Sequence, residues 1–292
     1  MRAIVLVASL VLAAGLAAGT GLGAQGGDAA RVYVAVTDKG GKPIKALTVA
    51  DFAVMEDGQT KRVLAAEPAT EPLSVALLID RFGQDATYSI LAVRGAIENI
   101  VKTLHAANAD TEISVTTIDP AAVPQIPFTM SAVTVTNFIR KLAPGVDQAV
   151  LLDGVVSASR SMAGARGPRR AIVGVIAGYK ADFGGANMPV MAEALRASQA
   201  SLWILEGRSS FGGGFSSASR DVILSQFVPA SGGASLSVAI GTALETQATR
   251  LAQALASQYA VTYAAPTRGA SALAVSVPIK NAKVMAPTWI VR

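Results

Sequence analysis

Apolar and polar residues alternate from Arg31 to Val36, with Val32, Val34 and Val36 on one side, the period of a half-buried strand. Asp38-Lys39-Gly40-Gly41-Lys42-Pro43 follows as a turn. Phe52, Val54 and Glu56 begin a second strand, Asp57-Gly58 supplies a hairpin turn, and Lys61 to Leu64 returns. Glu67-Pro68 and Glu71-Pro72 then bracket a linker, because proline pushes the residue before it out of helical conformation.

Beyond the linker the period changes. Leu73-Ser74-Val75-Ala76-Leu77-Leu78-Ile79 is nearly continuous in apolar residues, as a strand covered on both faces must be, and it ends at Asp80. Ile90, Leu91, Ile97, Ile100, Val101 and Leu104 recur at helical spacing. The alternation then repeats. Strands are predicted over Ile113 to Ile118, Ala171 to Ile176 and Leu202 to Leu205, with an edge strand over Ala234 to Val238. Helices are predicted over Val133 to Leu142, Leu151 to Ser161, Met188 to Ser198, Asp221 to Val228 and Leu244 to Ser257.

Such alternation implies a doubly wound, mostly parallel α/β sheet with helices on both faces. Its ligand crevice belongs at the carboxyl ends of the strands, at Asp80 to Gln84, Asp119-Pro120 and Ala177 to Asp182. The chain closes in strands again, at Tyr259 to Tyr263, Leu273 to Ile279 and Thr288 to Val291. Coming after the last helix, these are expected to pair with the amino-terminal strands in a small β-sandwich-like module built from both ends. The organisation is therefore an amino-terminal β module over 30–68, the α/β domain over 72–257, and closing strands over 258–292.

The leader changes the picture of where this fold works. Met1-Arg2, an apolar run from Ala3 to Leu16 and the small residues Gly19 to Ala24 form a tripartite secretory signal, with cleavage near Ala24. Residues 1–24 are expected to be removed, leaving a secreted or periplasmic protein. Retention as an anchor is the alternative, since charge is missing until Asp28. No later run of about 18 apolar residues suggests a span, so the mature form is expected not to cross a membrane.

Composition mostly excludes. The 292 residues contain no Cys, hence no disulfide or thiolate site, and a single His, His105, which removes multi-His zinc centres. A formal charge of +5 over this length is no nucleic-acid signature. The densest basic cluster, Arg160, Arg166, Arg169 and Arg170, reads as a solvated loop before a buried strand, with phosphate or lipid headgroups as the alternative ligand.

Five motifs run in order along nearly the whole mature chain: Val34 to Asp38 with Gly41-Lys42-Pro43, Asp51-Phe52-Ala53-Val54-Met55-Glu56-Asp57-Gly58, Leu73 to Asp80, Arg169 to Val173, and Ser257 to Tyr263. Together they resemble the VWFA-related group first noted in acidobacterial proteins, part of the von Willebrand factor A superfamily. The resemblance implies a metal-ion-dependent adhesion site: Asp-x-Ser-x-Ser on a first loop, Thr on a second, Asp on a third. Hydroxyls and water leave Mg²⁺, which takes six oxygens at about 2.0–2.1 Å, open to a partner's carboxylate.

Mapped onto this chain, the first loop is Asp80-Arg81-Phe82-Gly83-Gln84. Phe82 and Gln84 stand where the serines would be, Ala149 where the Thr would be, and Ala177 where the Asp would be. A degenerate site with no metal and no cofactor is expected. The implied role is a non-enzymatic, adhesion-type interaction module. An unidentified protein partner would dock on Asp80, Arg81, Phe82, Gln84, Asp147, Tyr179 and Asp182, with Phe82 as apolar anchor and Arg81 and Tyr179 as hydrogen-bonding groups.

Alternatives stay open. One is a structural component of the cell envelope, and a remoter one is a hydrolase using His105, for which no Gly-x-Ser-x-Gly elbow is present. A metal site rescued by Asp80, Asp85, Asp147 and Asp182 competes with helix capping by Asp85 and solvation of the rest. Phe211 to Phe215 reads as a mobile loop, and Trp203 and Trp289 as packing residues.

Overall fold

The computed structural model describes residues 29–81, 87–146, 148–177, 184–208, 218–239, 242–265 and 269–291. The chain opens with β1 (Ala29–Thr37), whose Val32, Val34 and Val36 side chains are buried as their alternation predicts. The turn after it is tied by Asp38, which accepts from Lys42 N through its carboxylate and donates its own N–H to Lys42 O. β2 (Ala53–Glu56), β3 (Gln59–Lys61) and β4 (Val63–Pro68) follow. Asp57 and Gly58 join β2 to β3 with φ of 50° and 76°. Both are positive, as a two-residue type I′ hairpin requires.

β5 (Leu73–Ile79) is buried along its whole length. Leu73, Val75, Leu77 and Ile79 face one layer of helices, and Ala76 and Leu78 the other. After it come α1 (Thr87–Ala107), β6 (Glu112–Thr117), β7 (Val123–Thr129), α2 (Ala132–Arg140) and α3 (Leu151–Ser161). β8 (Arg169–Ala177), α4 (Met188–Ser198) and β9 (Ser201–Arg208) continue the alternation. A helical stretch then runs through α5 (Ala218–Val222), a π turn (Ile223–Phe227) and α6 (Val228–Ala230), before β10 (Ser235–Ala239) and α7 (Thr242–Ala256).

The sheet order is β10-β9-β8-β5-β6-β7, with every neighbour parallel except β6 and β7. Residues of α1, α2 and α7 cover one face, and residues of α3, α4 and the 218–230 stretch cover the other. β7 is a strand the hydrophobic pattern does not predict. Pro124 and Pro127 interrupt it, and an edge strand tolerates them because only one side of its ladder is used.

β11 (Tyr259–Ala264), β12 (Ala270–Ser276), β13 (Lys283–Met285) and β14 (Trp289–Val291) end the chain. β11 lies antiparallel between β1 and β4, with Val261 opposite both Val32 and Ala66. Two four-stranded sheets result, β13-β1-β11-β4 and β14-β12-β2-β3, each mixing strands from the two ends of the chain. Val34, Phe52, Val54, Val261, Tyr263 and Leu273 belong to the core they share. The Tyr259 hydroxyl accepts from Leu47 N at 3.1 Å and donates to Ile44 O at 3.0 Å, pinning the loop between β1 and β2.

Three expectations need correction. The return strand does not stop at Leu64: the chain leaves one sheet at Arg62 and runs in the other through Pro68, an edge position where a missing donor costs nothing. β13 is an added strand, and β12 ends at Ser276 rather than Ile279. The basic cluster is not one solvated loop, because Arg169 is 3% exposed. Its guanidinium donates to Ala69 O, Glu71 O, Leu255 O and the Gln258 side-chain oxygen, and lies 6.0 Å from the centre of the Tyr33 ring. It thereby ties together both connections between the α/β layers and the sandwich. Burial lowers its pKa, while the Tyr33 and Glu71 charges work the other way.

Candidate functional site at the carboxyl ends of the strands

Parallel strands bring their carboxyl ends to one edge, so residues far apart in sequence meet there. β5 hands over to Asp80, whose N–H donates to Val175 O on β8 at 3.0 Å and whose side chain is buried. β6 is carried one residue further, with Ile118 N donating to Ile79 O at 3.0 Å and Val150 N to Ile118 O at 2.9 Å. This places Asp119 beside Arg81.

Arg81 and Asp119 form the centre of the described crest. The Arg81 main-chain N–H donates to Asp119 Oδ1 at 3.2 Å, and its Nε lies 3.2 Å from Oδ1 and 3.1 Å from Oδ2. Nη2 reaches the Asp119 carbonyl at 3.0 Å. The Asp119 side chain is fully buried and that of Arg81 is 29% exposed, so the carboxylate is sealed while part of the cation's side chain faces water. Gly145 closes the arrangement from above: its N–H approaches Arg81 O at 3.4 Å. A Cβ there would stand 1.6 Å from Asp119 Oδ2 and 3.0 Å from Arg81 Cβ, so only glycine fits without displacing the pair.

A second carboxylate organises the neighbouring loop. Asp153, in the first turn of α3, accepts from Ala186 N at 3.2 and 3.3 Å, which fixes the chain entering α4. An acid at that position also complements the positive end of the helix.

Of the residues expected at the docking surface, the structure brings Asp80 and Arg81 together at the strand tips. Phe82, Gln84, Asp147, Tyr179 and Asp182 lie outside the described residues, as do the 1–24 leader, Asp85 and the Phe211 to Phe215 loop. Ala149 is buried. Asp119 was expected on the crevice edge but was not counted among the docking residues. Gly145 and Asp153 were not singled out from sequence, because their places depend on loop closure.

Asp119 directs both carboxylate oxygens to Arg81, and the Ala149 side chain has no lone pair. Among the described residues no group of three or more His, Cys, Asp or Glu side chains is placed to hold a metal ion. His105 sits at the far end of α1, its ring nitrogens 3.0 Å from Val101 O and 3.2 Å from Met130 O. Among the described residues, no helix is long and apolar enough to cross a membrane.

No protein-family model matches the chain, and no curated protein sequence does. Solved structures match in fold. A von Willebrand factor type A protein from Catenulispora acidiphila superposes with a TM-score of 0.50 at 11% identity, over 91% of this chain and 74% of that one. Proximal thread matrix protein 1 from the mussel byssus superposes with a TM-score of 0.50 at 12% identity, over 75% of this chain and 50% of that one, so this chain spans half of that protein's length. Identities this low speak for architecture alone. The chain has a von Willebrand A-type fold, with a β-sandwich built from its two terminal segments beside the doubly wound sheet.

Proposed function

We propose that this chain is an exported, non-enzymatic protein-interaction module of the von Willebrand A class that docks its partner on the strand-tip crest without a bridging cation. The observation that supports this reading is the Arg81–Asp119 pair. In a metal-dependent site a divalent ion gathers oxygens at the strand tips and leaves one position for a partner's carboxylate. Here a guanidinium engages the tip carboxylate, and side chains without lone pairs stand at the Ala149 and Phe82 positions. Arg81 is held by its main chain and its side chain together, so little ordering cost remains when a partner arrives.

Calorimetric titration of Mg²⁺, Mn²⁺ and Ca²⁺ into the mature protein tests the reading. No saturable heat in the micromolar range is expected; micromolar binding abolished by Asp80→Ala overturns it. Crosslinking pull-down from the native envelope with wild type and Arg81→Ala then addresses docking. Loss of the recovered partner supports the crest, whereas unchanged recovery favours a structural envelope role. Mass spectrometry of the mature amino terminus checks export, with a start near Gln25 expected.

A further inference from the structure

The two outer strands of the six-stranded sheet are finished differently. β7 carries Pro124 and Pro127 and shifts register against β6, devices that discourage further strand pairing. β10 reads Ser-Leu-Ser-Val-Ala, without a proline, a charge or an irregularity in its pairing with β9. Among the described residues no strand flanks its outer side.

A groove of about 460 Å³ runs along that edge. β10 residues of both side-chain parities line it, Ser235 and Ser237 as well as Leu236 and Val238, so it follows the strand's edge rather than one face. Across from β10 lie β13, itself the last strand of its sheet, and the turn after β1. Ile204 N donates to Ala234 O. By alternation, Ser235 therefore turns its main-chain N–H and C=O groups away from β9 and towards the groove. The floor is apolar, with Trp203, Leu251 and Met285 beneath. Among the described residues, every charged one that lines it is a cation: Lys39, Arg250 and Lys283. All three are exposed, and none joins an ion pair among the described residues.

We propose that this groove takes an extended, carboxylate-bearing peptide segment of a partner protein, added beside β10 as a further strand. Main-chain bonds to the β10 edge would supply affinity. Alternate apolar side chains would enter over Trp203 and Met285, and carboxylates would meet the three cations. The site is separate from the strand-tip crest and stands or falls without it.

The test uses fluorescein-labelled hexapeptides, Glu-Val-Glu-Val-Glu-Val and its Lys-for-Glu counterpart, titrated into the mature protein and read by fluorescence polarisation. The acidic peptide is expected to bind, and amide exchange should slow at residues 235–239. Raising salt from about 0.05 to about 0.5 M should weaken binding. The Lys39→Glu/Lys283→Glu variant should bind at least about ten-fold more weakly. Ser235→Pro, which places at β10 the kind of guard that β7 has, should abolish binding with the melting temperature unchanged. If that variant does not fold, the charge-reversed variant still decides. Equal binding of the basic peptide, binding without protection of β10, or no binding of the acidic peptide each overturns the proposal.

Discussion

Two arginines stand at opposite ends of the same pair of strands, and their surroundings differ in kind. Arg169, opposite Leu73 at the foot of β5, is buried and held by carbonyl oxygens and one amide oxygen. Arg81, beyond the tip of β5, is partly exposed and held by a buried carboxylate. Carbonyls from two interdomain connections can be gathered only by a forked donor, so the foot is a device of architecture. At the crest the fork meets a single residue among the described ones and leaves part of the side chain in water, an arrangement suited to meeting something else. The difference teaches that a buried cation is read by what it joins, and an exposed one by what it leaves open.

The largest expected effect is at the foot. Arg169→Ala leaves Leu255 O and the Gln258 side chain without their donor and opens the junction between the layers and the sandwich. Urea unfolding should show a loss of about 3–5 kcal/mol. Arg169→Lys keeps a charge but not the fork, and should recover less than half of that loss. If Ala and Lys are both within about 0.5 kcal/mol of wild type, the foot is no clamp and the contrast with the crest collapses.

Alkaline pH should also strike the foot and the sandwich before the crest. The Tyr33 hydroxyl, on the ring beneath Arg169, is raised by burial first and by the Glu71 charge second, against Arg31 and Arg169. Tyr263, fully buried in the sandwich core, is pushed up to about 12 by burial. An unfolded tyrosine loses its proton near pH 10, while the folded groups keep theirs to higher pH. The unfolded state therefore binds fewer protons over that window, and stability falls as pH rises from about 10 towards 12. For Tyr263 the fall amounts to about 2 kcal/mol by pH 12, and Tyr263→Phe should flatten it in melts taken at stepped pH.

Much of this architecture is legible in sequence, because parallel strands buried on both faces read as apolar runs and Leu73–Ile79 is one. Asp57-Gly58 announces its hairpin through the backbone angles it permits. β7 is hidden because prolines usually argue against a strand, and only its edge position makes them harmless. The change of sheet at Arg62 is hidden because residues 59–68 keep a strand-like composition on both sides of it. Arg169 misleads for a different reason. A long cation beside an apolar run normally marks a solvated end, and the carbonyls that hold it come from residues about 90 positions away. Asp80 and Arg81 were readable from a motif and Asp119 from its place on the crevice edge, whereas the Arg81–Asp119 pairing and the Gly145 lid are products of tertiary closure.

Gly145→Ala tests that closure. The added methyl overlaps Asp119 Oδ2, so either the pair or the 142–146 loop must shift. A loss of about 1–3 kcal/mol is expected. The same variant should lower partner recovery in the crosslinking pull-down, since the displaced carboxylate no longer orients Arg81. Full stability together with full recovery would mean that the loop moves freely and the crest is not pre-formed.

A stability effect well below that of Arg169→Ala is expected where the functional effect should be greatest. Arg81→Ala removes a partly exposed pair, worth about 1 kcal/mol or less at room temperature. It also leaves the sealed Asp119 carboxylate without that donor, which raises the cost to about 1–3 kcal/mol. Arg81→Ala/Asp119→Asn removes both charges and should be more stable than the single variant, while recovering no partner. That crossing of stability and recovery is the sharpest separation of crest from foot, because Arg169 variants should lose both together. If the double variant regains the partner along with its stability, Arg81 does no more than neutralise Asp119, and docking must rest on other groups of the crest.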